Sequence, residues 1–268
     1  MMLKAFPPIQ SVIGFPVTAL PFNAQINLIM KWAGSRLSKY VCVANVHMLM
    51  EARTDPTFAA VLENADLVTP DGMPLVWLMK LMGVMHQDRV AGMDIFLALC
   101  EQASERQISV FFLGSKPEIL ERMKEKLHQD FPQLKVADMQ PLPFRSLTPE
   151  EDEATVRKIN ESGAGLVLVS LGCPKQELWM SQHQGRVDGV MLGLGGVFPV
   201  YAGIQKWAPN WIRKAGLEWL YRLIQEPRRL WRRYLGTIPP FIYLACRQIF
   251  VNWVSPLPKE RSDYSRYP

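Results

Sequence analysis

Short β-branched and apolar runs recur through the first two hundred residues, separated by longer stretches in which apolar positions keep a helical spacing. Residues 40–44, 67–69, 110–113, 135–137, 166–170 and 190–192 read as strands, being too short for helices and bounded by turn-forming residues. Between them, residues 117–128 set Ile119, Leu120, Met123 and Leu127 on one helical face. Residues 148–162 open on Thr-Pro-Glu-Glu, a helix start signal, ahead of Val156 and Ile159. Strands alternating with helices predict an α/β fold built on a doubly wound, mostly parallel sheet.

From about Trp207 the pattern becomes helical, aromatic and basic, with Leu217, Leu220, Tyr221 and Ile224 at i, i+3, i+4 and i+7. The chain is therefore expected to divide into a core, residues 1–205, and a helical, basic carboxy-terminal appendage, residues 206–268. On one continuous helix Arg222, Arg229 and Arg233 fall within about 40° of each other, opposite the apolar stripe. Pro227 is the position at which such a helix would kink.

The charge is uneven in a way that matters. Residues 1–205 hold 18 basic and 21 acidic groups, residues 206–233 hold 8 and 2, and residues 234–268 hold 4 and 2. A basic segment of this kind suits nucleic acid, anionic lipid or a phosphorylated ligand. Composition otherwise describes a folded globular chain, with 49% apolar and 21% charged residues. Cys42, Cys100, Cys173 and Cys246 are far apart with no Cys-x-x-Cys pair, which fits a reducing cytoplasm rather than a disulfide framework. Residues 1–18 do not read as a signal peptide. Residues 238–254 come nearest to a membrane span but are broken by Arg247, Gln248 and Asn252.

In doubly wound sheets ligands bind at the carboxyl ends of the strands, and there this chain places polar groups and glycines. Asn45 and His47 follow the first run, Pro70-Asp71-Gly72 the second, Gly114-Ser115 the third, Gly172 to Glu177 the fifth, and Gly193 to Gly196 the sixth. Asp71 reads as a turn aspartate or as a general base facing a substrate hydroxyl. Asn45 suits a helix N-cap or a neutral ligand for a sugar or uracil. Gly195 and Gly196 resemble an anion-cradling loop, although G-x-G-x-x-G is missing, as is the G-x-x-x-x-G-K-[ST] of an NTPase. His47, His86, His128 and His183 lack metal-ligand spacing and no Asp-x-Asp occurs, so no metal or other cofactor is expected. A diphosphate would then have to be met by Arg, Lys or backbone N–H groups, and the appendage supplies arginines. Nucleic acid is disfavoured, because the rim offers carboxylate and glycine rather than interleaved basic and aromatic residues.

Residues 65–77, ADLVTPDGMPLVW, followed by DRVAGMD at 88–94, resemble the WecG/TagA/CpsF glycosyltransferases, glycosyltransferase family 26. VFFLGSKPE at 110–118, LGCPKQELW at 171–179, GLGGVF at 193–198, Ala202-Gly203 and GLEWLYRLIQEPRRLWRRYL at 216–235 match in the same order, so the resemblance spans roughly residues 12–235. It implies a Rossmann-like fold of the type called GT-E. It also implies an inverting, metal-independent enzyme that moves a sugar from a UDP-sugar to a polyprenyl-diphosphate-linked saccharide. Such an enzyme works at the cytoplasmic, inner face of the cell membrane, in surface polysaccharide or teichoic acid synthesis, as a peripheral protein on an anionic surface. Assembly into a homo-oligomer is left open. By the motif match Asp71 takes the catalytic-base position and Asn45 a substrate-binding one. Arg222, Arg229 and Arg232 match arginines that close over the diphosphate, while Arg89 and Gln176 match pocket positions. The wheel above places Arg233 rather than Arg232 with the other two. Two departures stand out: Phe198-Pro199 where Phe-Asp is expected, and Trp207-Ala208-Pro209 where Arg-Ala-Pro is expected. The alternative from another class is a non-catalytic membrane-surface component of a polysaccharide assembly complex.

Overall fold

The computed structural model describes residues 7–143 and 145–254. The parts of the expectations above that concern residues 1–6 and 255–268 lie outside the described residues.

The chain opens with an antiparallel hairpin of β1 (Ile9–Val12) and β2 (Phe15–Thr18). Ile13 and Gly14 both take positive φ, as a two-residue hairpin turn requires. There follow α1 (Phe22–Gly34), β3 (Lys39–Ala44), α2 (Val46–Thr54), α3 (Pro56–Glu63), β4 (Leu67–Pro70), α4 (Met73–Leu81), α5 (Gly92–Arg106) and β5 (Val110–Gly114). The second half adds α6 (Pro117–Asp130), β6 (Val136–Gln140), α7 (Pro149–Glu161), β7 (Leu166–Ser170), α8 (Lys175–Gln182), β8 (Val190–Gly193) and α9 (Phe198–Tyr201). The chain then runs through α10 (Asn210–Lys214), α11 (Glu218–Gln225) and α12 (Pro227–Val254).

Strands β3 to β8 form one sheet in the order β4-β3-β8-β7-β5-β6, and every ladder in it is parallel. This is the α/β, Rossmann-like, doubly wound sheet expected from the alternation of elements. Period-two alternation sorts its side chains between two cores: Tyr40, Cys42 and Ala44 face α2, α3 and α8, while Val41 and Val43 face α1 and α5. The sheet's edge strand departs from expectation, running from Val136 to Gln140 rather than over 135–137. No residue of β6 is fully buried, so the apolar signal that marks the central strands is weak there. The hairpin was not expected at all; its strands are four residues each.

At Pro227, the position named above for a kink, the basic segment divides into two helices. Glu226 ends α11, and Pro227 begins α12, where a missing N–H costs no helical hydrogen bond. Helix α12 lies back on α2, burying Leu230 and Phe241 and packing Leu244, Ala245 and Ile249 against the first core. Gln248 fastens it to the hairpin, donating to the Ser11 carbonyl at 2.8 Å and accepting from the Ile13 N–H at 2.7 Å. Helix α11 buries none of its residues, and Leu217, Leu220 and Ile224 of the expected stripe are exposed. Among the described residues no helix is long and apolar enough to cross a membrane.

Candidate functional site

Asn45 and Asp71 lie at the carboxyl ends of adjacent strands, where Ala44 pairs with Pro70 and the Asp71 N–H donates to the Ala44 carbonyl at 2.8 Å. Asn45 is the N-cap of α2, its side-chain oxygen accepting from the Met48 N–H at 3.2 Å. The bland expectation is therefore realised, and it holds the side chain beside Gly72. Asp71 does more than turn the chain. Its Oδ1 accepts from the N–H of Gly92 at 3.2 Å, at the start of α5, where Ala91 offers no capping side chain. Oδ2 has no hydrogen-bond partner among the described residues. Burial pushes the carboxyl up to about 6 and the charge of Glu218 adds to this, while Arg89, Arg222 and the Gly92 N–H act in the opposite direction. A carboxylate so placed is poised to take a proton near neutrality.

Gln176 is buried behind the rim rather than open to it. Its Oε1 accepts from the N–H groups of Gly172 and Gly195, each at 3.1 Å, and its Nε2 donates to Glu177 Oε1 at 2.7 Å. The N–H of Gly195 is thus engaged by the protein itself. Gly196 stands instead beside the appendage: Arg222 Nη2 approaches its carbonyl at 3.5 Å. Glu177 is fully buried, and burial pushes its carboxyl up to about 7 against hydrogen bonds from Gln176, its own N–H and Cys173. Sequence reading set Glu177 at the rim without giving it a role; it stands in the first turn of the helix that begins there.

Above this rim Arg222 from α11 and Arg229 and Arg233 from α12 line one shallow, solvent-open hollow with Lys206, Gln205, Gln225, Glu226 and Leu230. Arg229 pairs with Glu226, which also accepts from Gln205 Nε2 at 2.8 Å. Arg233 also faces His47, whose imidazole is pushed down to about 4, first by burial and then by that guanidinium. Arg232 is not among the lining residues; its guanidinium lies 5.3 Å from the ring centre of Trp231. The wheel's choice of arginines is the set that converges, although the continuous helix on which it rested does not exist.

Arg89 sits mostly buried between two carboxylates, with Nη1 3.0 Å from Glu218 of α11 and Nη2 3.6 Å from Asp94 of α5. Sequence reading missed Glu218, although its spacing from Arg222, one helical turn, put both on one face. The two departures have local roles. Pro199 falls in the first turn of α9, and its carbonyl accepts from Ile204 and Gln205. Trp207 carries the Arg213 guanidinium on its ring at 3.9 Å.

Residues 10–254 match the family model described as Glycosyl transferase WecG/TagA/CpsF family. Over 204 residues, 76% of this chain and 77% of the relative, the chain is 34% identical to an N-acetylglucosaminyldiphosphoundecaprenol N-acetyl-beta-D-mannosaminyltransferase of Bacillus spizizenii.

Proposed function

The chain belongs to the WecG/TagA/CpsF glycosyltransferase family, and from that premise we propose that it transfers a sugar from a UDP-sugar to a polyprenyl-diphosphate-linked saccharide, with inversion and without a metal. The relative's printed name supports the acceptor class, since that protein uses a diphosphoundecaprenol-linked sugar. The observation that carries the reading is Asp71, a half-buried carboxylate at a strand end, its carboxyl pushed up to about 6, that feels the charge of Arg222 from the arginine-lined hollow.

In this mechanism Asp71 takes the proton from an acceptor hydroxyl, that oxygen forms a bond to the anomeric carbon from one face, and the bond to UDP breaks on the other. The bonding electrons leave on the diphosphate, where Arg222, Arg229 and Arg233 meet the developing charge. Asn45 binds sugar or uracil at the edge of the same site, and Gln176 holds the two glycine segments in place.

Residues 206–268 act in this reading as a membrane-associating appendage to a catalytic core of residues 1–205. Trp211, Trp219, Trp231, Tyr243, Phe250 and Trp253 are exposed on its helices among basic side chains, a combination that suits the anionic inner face of a membrane. The test is transfer from a panel of UDP-sugars to a short-chain polyprenyl-diphosphate-linked saccharide, with NMR of the product's anomeric centre. Transfer with inverted configuration is expected. Binding of the lipid without turnover on any donor would favour the non-catalytic component instead, and a retained configuration would remove the single displacement.

A further inference from the structure

The appendage meets the sheet rim through a line of alternating charges. Arg213 of α10 stands 3.5 Å from Asp94 Oδ1, Asp94 Oδ2 stands 3.6 Å from Arg89, and Arg89 stands 3.0 Å from Glu218 of α11. Beside this line the α10–α11 corner rests directly on the first turn of α4, the helix that follows Asp71-Gly72. Gly216 there has φ +73°, and a Cβ on it would fall 2.9 Å from the Trp77 ring and 3.0 Å from Met73 Cβ. Only a bare backbone fits so close. Glu218 lies two residues beyond that contact and one turn before Arg222, which reaches the Gly196 carbonyl. The seat of α11, the partner of Arg89 and the approach of Arg222 are therefore fixed by one short stretch of chain.

We propose that Glu218 is a positioning residue for the transfer reaction, an appendage carboxylate that engages Arg89 and so sets both the seat of the Arg222-bearing helix and the charge around Asp71. The proposal rests on Asp71 being the base. Arg89 is permanently charged and desolvated, and a guanidinium in that state seeks a carboxylate. With Glu218 in place it has one, and Asp94 besides. Without Glu218, Arg89 keeps only the longer contact to Asp94 and its charge acts on Asp71 less opposed, which makes Asp71 a weaker base. The charged groups facing Asp71 are Glu218 and Arg222 from α11 and Arg89 from the segment before α5, with the Gly92 N–H at the start of α5. Appendage docking and base strength thus become one event: only the docked chain has both a leaving-group clamp and a Glu218 charge that offsets Arg89 at Asp71.

The two ends of this ion pair give opposite signatures, which simple loosening of an interface does not. The full-length protein and its Glu218→Gln and Arg89→Gln variants are assayed for kcat/KM from roughly pH 5 to 8, where a base near neutrality titrates. Glu218→Gln should move the acid limb to lower pH, because a negative neighbour is gone and Arg89 is released. Arg89→Gln should move it to higher pH, because Glu218 then faces Asp71 unopposed by that cation. Both should lower the plateau by about ten- to a hundredfold through misplacement of α11. Glu218→Asp, which keeps the charge, should hold the limb near its wild-type position. Limbs that stay at the wild-type pH in both glutamine variants, whatever their plateaus, would reduce the pair to an ordinary structural contact and overturn the proposal. An Asp71→Asn enzyme with full turnover would instead remove the base itself, a failure of the underlying reading that this comparison keeps separate.

Discussion

The side-chain oxygen of Gln176 accepts the backbone N–H of Gly195 at 3.1 Å, so the glycine that looks most like part of an anion cradle is held by the protein. Its missing side chain is explained by crowding. A Cβ on Gly195 would lie 2.6 Å from Gln176 Oε1 and 2.9 Å from the Gly172 nitrogen, contacts too short to exist. Gly195→Ala should therefore cost about 1 to 3 kcal/mol of stability, the usual effect of overpacking, and distort the rim. Gly236→Ala is the control: it lies in α12 with open space around it, and should gain up to about 1 kcal/mol from helix propensity. Denaturant titration of the two variants measures both, and equal stability of the two would overturn the crowding account.

Asp71→Asn should lower turnover by about 10²- to 10⁴-fold while leaving the fold intact, because Asn Oδ1 can still accept from Gly92. The wild-type enzyme should lose activity as pH falls through about 6, where the carboxyl takes up a proton and ceases to be a base. Turnover of the variant within a few-fold of wild type, or a wild-type profile flat from neutrality down to pH 5, roughly one unit below the midpoint, would remove Asp71 from the mechanism.

The arginines separate by position. Arg222, Arg229 and Arg233 line the hollow, and each replaced by Ala should raise the barrier by about 2.7 to 4 kcal/mol if it meets the leaving diphosphate. Arg232 points to Trp231, and Arg232→Ala should change kcat on a water-soluble acceptor by no more than a few-fold. A large kcat loss from Arg232→Ala with Arg233→Ala near wild type would reverse the assignment.

How much of this was readable beforehand follows from what each segment contributes. Central strands such as β7 announce themselves because both faces are buried and Leu166 to Val169 form an unbroken apolar run, so 166–170 is found to the residue. The edge strand β6 is half-exposed and the hairpin strands are short, and neither leaves an unbroken apolar run. Asp71 and Asn45 were legible because the fold rule points to strand ends. Glu218 was not, because a carboxylate on a helix looks like solvated surface until its neighbours are known. The break at Pro227 was signalled by the proline itself, which cannot continue the hydrogen-bond ladder of α11.

Activity should persist in excess EDTA. The chain has no Asp-x-Asp, and a divalent cation entering the hollow would stand among Lys206, Arg222, Arg229 and Arg233 with Glu226 already paired. Loss of transfer on chelation, restored by magnesium or manganese, would require a metal in the mechanism.

Membrane attachment is best tested without deleting the appendage. Phe241, Leu244, Ala245 and Ile249 of α12 pack against the first core, so truncation at Trp207 would strip apolar cover from it and confuse unfolding with detachment. The opposite face of α12 offers a cleaner handle. Trp231, Leu235, Ile242, Phe250 and Trp253 are all exposed and fall within about 100° of one another on a helical wheel. That is the wrong side to pack on the protein and an apolar side too large to leave in water without reason. Arg228 and Arg232 lie on the same side and are exposed, as an interfacial helix on anionic lipid requires. Replacing Ile242, Phe250 and Trp253 together by Ser should leave the thermal transition unchanged and abolish sedimentation with anionic vesicles, while transfer to a water-soluble acceptor continues. Arg232→Ala should weaken vesicle binding by about 1 kcal/mol, the contribution of one cation near such a surface, and the effect should fade as salt is raised. Arg233→Ala should do the reverse, keeping vesicle binding and losing turnover. A triple variant that sediments like the parent would show that the apolar face of α12 is not what holds the protein to the lipid.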